Sequence, residues 1–215
     1  LTFTTSDGNV RIDNSTPVQT QETFLSGGGS YTISGTWNGR ITSNYNTPRF
    51  PVTIEASDTP YNITLSDVTI SNTGAYGGTI IIKSGATVNL TLQGTNTLAA
   101  GDYMGGLTVP DGATLTIRGD GTLTASNDKT LGAGIGGGDG NISKKSGTIT
   151  FESGTIKATG KPSGIGSGGS GTSGGTVIIN GTAWIEASSI KATTTYTSGI
   201  VFEGTAGRVY GSQTL

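Results

Sequence analysis

The stretch Ala113-Thr-Leu-Thr-Ile-Arg-Gly119-Asp-Gly121-Thr-Leu-Thr-Ala-Ser126 holds two short runs in which every second residue is apolar, joined by a glycine corner. Alternation of period two marks a β-strand with an inner and an outer face. The same pair of runs precedes it as Ala86-Thr-Val-Asn-Leu-Thr-Leu92 and Asn96-Thr-Leu-Ala-Ala-Gly101. It follows as Gly147-Thr-Ile-Thr-Phe-Glu-Ser153 with Gly154-Thr-Ile-Lys-Ala-Thr-Gly160, then as Gly175-Thr-Val-Ile-Ile-Asn-Gly181 with Gly181-Thr-Ala-Trp-Ile-Glu-Ala187. A third run stands before each pair: Gly78-Thr-Ile-Ile-Ile82, Gly106-Leu-Thr-Val-Pro110, Gly134-Ile-Gly-Gly-Gly138 and Gly164-Ile-Gly-Ser-Gly-Gly169.

Corresponding runs recur at a nearly constant interval. Gly78, Gly106, Gly134 and Gly164 open successive copies of one run, and Ala86 and Ala113 open successive copies of the next. Three short strands per coil of about 27 residues, with glycine corners, describe an all-β, right-handed parallel β-helix. A sandwich would also show short strands and turns, but has no reason to repeat in threes. The alternation places Val88, Leu90, Leu92, Leu115, Ile117, Ile149, Phe151, Val177 and Ile179 inside. Asn89, Thr91, Thr116, Arg118, Thr148, Thr150 and Glu152 then point outward. No linker divides the chain, so a single domain over 1–215 is expected. Residues 1–29 read as an N-terminal cap or added strand, 30–202 as coils and 203–215 as the C-terminal closure.

Composition agrees with this architecture. Glycine (38), threonine (39) and serine (22) make up 99 of the 215 residues, and only 12% are charged. Glycine and threonine are poor helix residues, whereas threonine suits an exposed pleated face. Disordered chains are usually charged or proline-rich; this one has 6 prolines and a net charge of −2. A sequence pI of about 5.0 offers no phosphate-neutralising surface, which argues against nucleic acid. With no histidine and no cysteine, serine–histidine and cysteine–histidine catalysis, thiolate zinc sites and imidazole metal sites are closed to the single chain. The lack of cysteine fits an extracellular protein that does without disulfides, as it would a cytosolic one. No stretch approaches the roughly 18 apolar residues of a membrane-spanning helix.

Two glycine patterns match a dinucleotide fingerprint by letter: Gly132, Gly134, Gly137 and Gly164, Gly166, Gly169. A functional fingerprint needs a helix behind it, whereas both copies occupy the same slot of the repeat and run on into another strand. They read as tight corners of a closely packed wall. Asp102, Asp111, Asp120, Asp128 and Asp139 fall at corners, where they are candidate calcium ligands or simply turn residues. None is beside another carboxylate in sequence, so no metal ligand set and no catalytic pair is assigned. Five Asn-x-Ser/Thr sequons, at Asn14, Asn62, Asn89, Asn141 and Asn180, are close to what 12 asparagines among so many hydroxyl residues give by chance.

Aromatic residues are scarce and therefore informative. Ala183, Ile185 and Ala187 take the inward positions of the last pair, so Trp184 projects outward. Tyr76 and Tyr103 stand one repeat apart, each just before the paired glycines of the first run, which would stack them on one edge. Exposed rings beside hydroxyl side chains suit sugars, whose C–H faces pack on aromatics. The same rings could instead cover loops or ends of the solenoid, and Trp37 fits either role.

The Gly132-Ala-Gly-Ile-Gly-Gly-Gly138 corner, the recurring Gly-Thr-Ile strands, Tyr31-Thr-Ile-Ser-Gly-Thr36 and Ile63-Thr-Leu-Ser-Asp-Val-Thr-Ile70 resemble the right-handed β-helix carbohydrate-binding domains of secreted bacterial surface proteins. The resemblance spans about Tyr31 to Trp184. It implies non-catalytic attachment to plant or cell-wall polysaccharide, in some members with calcium, although these coils lack recurrent acidic turns. The expected function is an extracellular, cell-surface or secreted polysaccharide-binding adhesin module without catalytic residues or obligate cofactor. Its expected binding residues are Trp184, Tyr76 and Tyr103. The alternative is a structural fibre subunit that self-associates through an N-terminal strand within Leu1 to Val10. Ice binding lies near that class; it needs flat, regular Thr-x-Thr rows, and Lys157, Trp184 and Glu152 break them. A polysaccharide lyase using Arg118, Lys157 or Lys191 is the enzymatic alternative, and fold alone does not license it.

Overall fold

The computed structural model describes residues 2–5, 9–13, 22–38, 51–72, 77–129, 131–139, 143–169, 174–196, 200–204 and 207–211. These form a parallel β-solenoid of about five turns, with a coil spacing of roughly 28 residues and no helix among the described residues.

Three walls run along the solenoid. The first carries Val52–Ile54, Ile80–Ile82, Leu107–Thr108, Ile135–Gly136, Ile165–Gly166 and Ile190–Lys191, paired in parallel one rung to the next. The second carries Thr87–Gln93, Thr114–Gly119, Thr148–Phe151, Thr176–Ile179 and Thr193–Tyr196. The third carries Thr95–Ala100, Thr122–Asn127, Thr155–Thr159 and Trp184–Ala187. In the early coils the second and third walls are continuous, because Tyr61–Asn72 pairs with Thr87–Gln93 through its first half and with Thr95–Ala100 through its second. The bend falls at Asp67, which has φ +53°; its carboxylate accepts the Thr95 N–H at 2.9 Å.

The inward residues stack into ladders as the alternation predicts. Val88, Leu115, Ile149 and Val177 form one ladder of the second wall, and Leu90, Ile117, Phe151 and Ile179 the next; all are buried. Each fully buried aliphatic side chain contributes roughly 1.5–3 kcal/mol, so the stacked rungs rather than local propensity hold the coils together. The first wall is built for closeness. A Cβ on Gly134 would lie 2.7 Å from the Gly164 carbonyl, and one on Gly136, where φ is +139°, would collide with the carbonyl of Gly166. The letter-perfect glycine fingerprints are therefore wall packing, with each successive glycine strand laid against the last.

Corners differ in length from coil to coil. The step from Thr114 to its partner Thr148 is longer than the step from Thr87 to Thr114, because more residues separate Ile135–Gly136 from Thr148–Phe151 than separate Leu107–Thr108 from Thr114–Gly119. At the N-terminal end, Thr2–Thr5 pairs antiparallel with Gly29–Asn38 and Asn9–Asp13 pairs antiparallel with Glu22–Ser26. Glu22–Ser26 in turn pairs in parallel with Val52–Ile54, so residues 1–29 supply both added antiparallel strands and a first-wall rung. Near the other end, Ile200–Gly204 and Gly207–Gly211 form an antiparallel hairpin that docks against Trp184–Ala187. The last parallel rungs are Ile190–Lys191 and Thr193–Tyr196.

Candidate functional site

Trp184 opens the last parallel strand of the third wall, whose residues alternate exposed and buried. Its N–H donates to the Gly154 carbonyl at 2.9 Å, while Ala183, Ile185 and Ala187 are buried beneath it. The side chain is 47% exposed and is the large apolar group on the surface of the described residues. Register puts it in one outward column with Thr155, Thr122 and Thr95. The adjoining column runs Thr97, Thr124, Lys157 and Glu186, with Lys157 and Glu186 exposed on neighbouring rungs. An indole face, a line of hydroxyls and one charge of each sign thus share one surface.

Tyr103 is elsewhere. It lies in the turn after the third-wall strand Thr95–Ala100, in the left-handed region with φ +68°, half-buried, and its carbonyl accepts the Asp139 N–H at 2.7 Å. Trp184 starts its third-wall strand, whereas Tyr103 follows the end of a strand three rungs away, so the two are separated both along the strand and along the solenoid axis. Tyr76, expected beside Tyr103, lies outside the described residues, as does the side chain of Trp37.

The corner aspartates do not assemble. Asp111, Asp120 and Asp128 are exposed at three different corners, Asp102 is half-buried in the turn beside Tyr103, and Asp139 pairs with Lys144 at 3.1 Å. Among the described residues no three acidic side chains gather as a metal site. Arg118, Lys157 and Lys191 stand on the second, third and first walls respectively, so no pair of them shares a face. An open groove of about 390 Å³ lies at the start of the second wall, between Asp111, Thr114, Ser146, Thr148 and Thr176. It holds one carboxylate and no cation, a lining for hydroxyl ligands rather than for acid–base chemistry. Asn62 and Asn89 are neighbours on the second wall, with the Asn89 amide donating to Asn62 Oδ1 at 3.1 Å.

Buried amides escaped the alternation-based reading. Asn96 occupies an inward position of the third wall, level with Leu123. Its Oδ1 accepts the Val68 N–H at 3.0 Å, and its Nδ2 donates to the carbonyls of Gln93 at 3.0 Å and Thr122 at 3.2 Å. Three rungs are tied by one side chain. The signal was present: a polar residue at an inward position, where only a fully hydrogen-bonded group is tolerated. Asn127 acts similarly at the end of the wall, donating to the Gly101 carbonyl at 2.8 Å.

The chain matches no protein-family model, no curated protein and no solved structure.

Proposed function

We propose that the chain is a non-catalytic polysaccharide-binding module of a secreted or surface-attached bacterial protein, with Trp184 as its sugar platform. The observation that supports this is the exposed indole at an outward strand position, in line with Thr155, Thr122 and Thr95. A pyranose stacked on the ring buries its C–H face against an apolar surface that is otherwise left in water. Successive rungs lie about 4.8 Å apart, close to the length of one pyranose unit, so a glycan running along the axis brings each further sugar over the next threonine. Lys157 and Glu186 supply a charged donor and a charged acceptor at the flank. Tyr103, beyond the other end of the wall and three rungs away, is a second contact in this reading, as is Tyr76. No cofactor takes part, so retention is expected to be equal with calcium and with chelator.

The test is native electrophoresis through gels containing a panel of soluble polysaccharides. Wild-type protein is expected to be retarded by at least one of them, and Trp184→Ala to run freely. Free migration of the wild type in every gel, or unchanged retardation of Trp184→Ala, would overturn the assignment.

A further inference from the structure

The second wall presents a different outward surface. Its five rungs pair without a register shift, so its outward residues fall in straight columns. The first column is Thr87, Thr114, Thr148, Thr176 and Thr193. The second is Asn89, Thr116, Thr150, Ile178 and Thr195. Eight of these ten positions are threonine, none is charged, and all are partly or fully exposed; the charged groups of this wall stand at its margins, Asp111 beside the first column in the groove and Arg118 at the outward position after Thr116. Lys157 and Trp184, which break the threonine rows along the sequence, belong to the third wall. Glu152 follows the end of Thr148–Phe151 and lies outside the grid.

We infer that this grid binds the surface of ice. The fold does not require such uniformity, because the equivalent outward positions of the third wall accept Lys157, Trp184 and Glu186. What the grid selects for is a partner that is neutral, hydrogen-bonding and periodic in two directions. The backbone fixes those periods at about 4.8 Å between rungs and about 6.6 Å between alternate residues of a strand. Repeats of this order recur between water oxygens in an ice lattice and not in liquid water. Each threonine offers a hydroxyl that can stand in for a lattice water and a methyl that orders the waters beside it. β-Branching restricts χ1, so the hydroxyls are set in place before contact and little side-chain freedom is lost on binding. Weak contacts at single nodes then add, since the first positions all the others. A lone sugar chain is a poorer fit, because the grid has no ring to stack on.

The experiment grows an ice hemisphere slowly in a dilute solution of the protein and compares its concentration in ice and in liquid. Wild-type protein is expected to enter the ice, and Thr116→Lys/Thr150→Lys to be depleted from it by about tenfold or more. Trp184→Ala is expected to enter like the wild type, which separates this face from the sugar platform. Circular dichroism checks the fold; should the double variant unfold, Ile178→Lys/Thr195→Lys at the end of the grid carries the same expectation. Exclusion of the wild type from ice, or equal incorporation of a folded grid variant, would overturn the inference. So would loss of polysaccharide retardation in a grid variant that still enters ice.

Discussion

Trp184 takes, on the last parallel rung of the third wall, the outward place that Thr155 holds on the rung before it. Through three rungs that column carries a hydroxyl and a methyl; at the fourth it carries an indole that is nearly half exposed. The backbone beneath is unchanged, with Ile156 and Ile185 stacked in the core at the next position. The substitution of ring for hydroxyl therefore alters the surface without altering the coil.

It follows that Trp184→Ala should leave stability almost untouched. Exposed substitutions away from caps and buried networks usually fall within about 0.5 kcal/mol. The urea midpoint is expected to stay at the wild-type value while glycan retardation disappears. Trp184→Phe, which keeps a smaller ring, is expected to retain part of the retardation in the same gels.

Asn96 makes the opposite case. Asn96→Leu matches the hydrophobic residue of the adjacent rung but leaves the Val68 N–H and the Gln93 and Thr122 carbonyls without their partner. Each buried group left unsatisfied costs about 1–3 kcal/mol, so the variant should be destabilised by at least that much. Asn96→Asp keeps the acceptor but loses both donors and buries a charge, and should be worse. Equilibrium urea unfolding ranks the three proteins.

Gly136 tests the closeness of the first wall. An alanine there must hold a φ near +139° and press its Cβ into the Gly166 carbonyl of the next coil. Strain and overpacking each cost of order 1–3 kcal/mol. Gly136→Ala is expected to lower the thermal midpoint by several degrees or to prevent folding, as read by circular dichroism.

Alkaline pH should loosen the N-terminal coils first. Tyr31 and Tyr61 are buried with ring centroids 6.0 Å apart, and their hydroxyls donate to the carbonyls of Gly28 and Leu25. Burial, chiefly, pushes both phenols above their ordinary value of 10.0, and the charge of Tyr61 adds to the effect at Tyr31. A raised acid constant means the folded state favours the neutral phenol. That stability is complete below pH 10 and drains away as pH rises through the folded-state values. The unfolding midpoint should fall above pH 10 in the wild type and fall less in Tyr31→Phe.

Much of this molecule was legible from the chain alone because its rules are local and repeated. Alternation of period two assigned Val88, Leu115, Ile149 and Val177 to the core and Trp184 to the surface. Recurrence at a nearly constant interval then gave the coil, since only a solenoid asks the same three strands to return so regularly. Tyr103 was less legible: its left-handed turn and the hydrogen bond from Asp139 are set by packing between coils.

Tertiary structure alone decided which outward residues become neighbours. The corner between the first and second walls lengthens in one coil and not in the one before it, yet Thr114 and Thr148 still meet in register. Column membership is fixed by backbone pairing between rungs, which corner length does not reveal. That pairing moves Lys157 and Trp184 off the threonine grid and onto a wall of their own, and makes Asn96 a tie between three rungs. The sequence by itself determined what each strand buries; contact between coils determined what each wall displays.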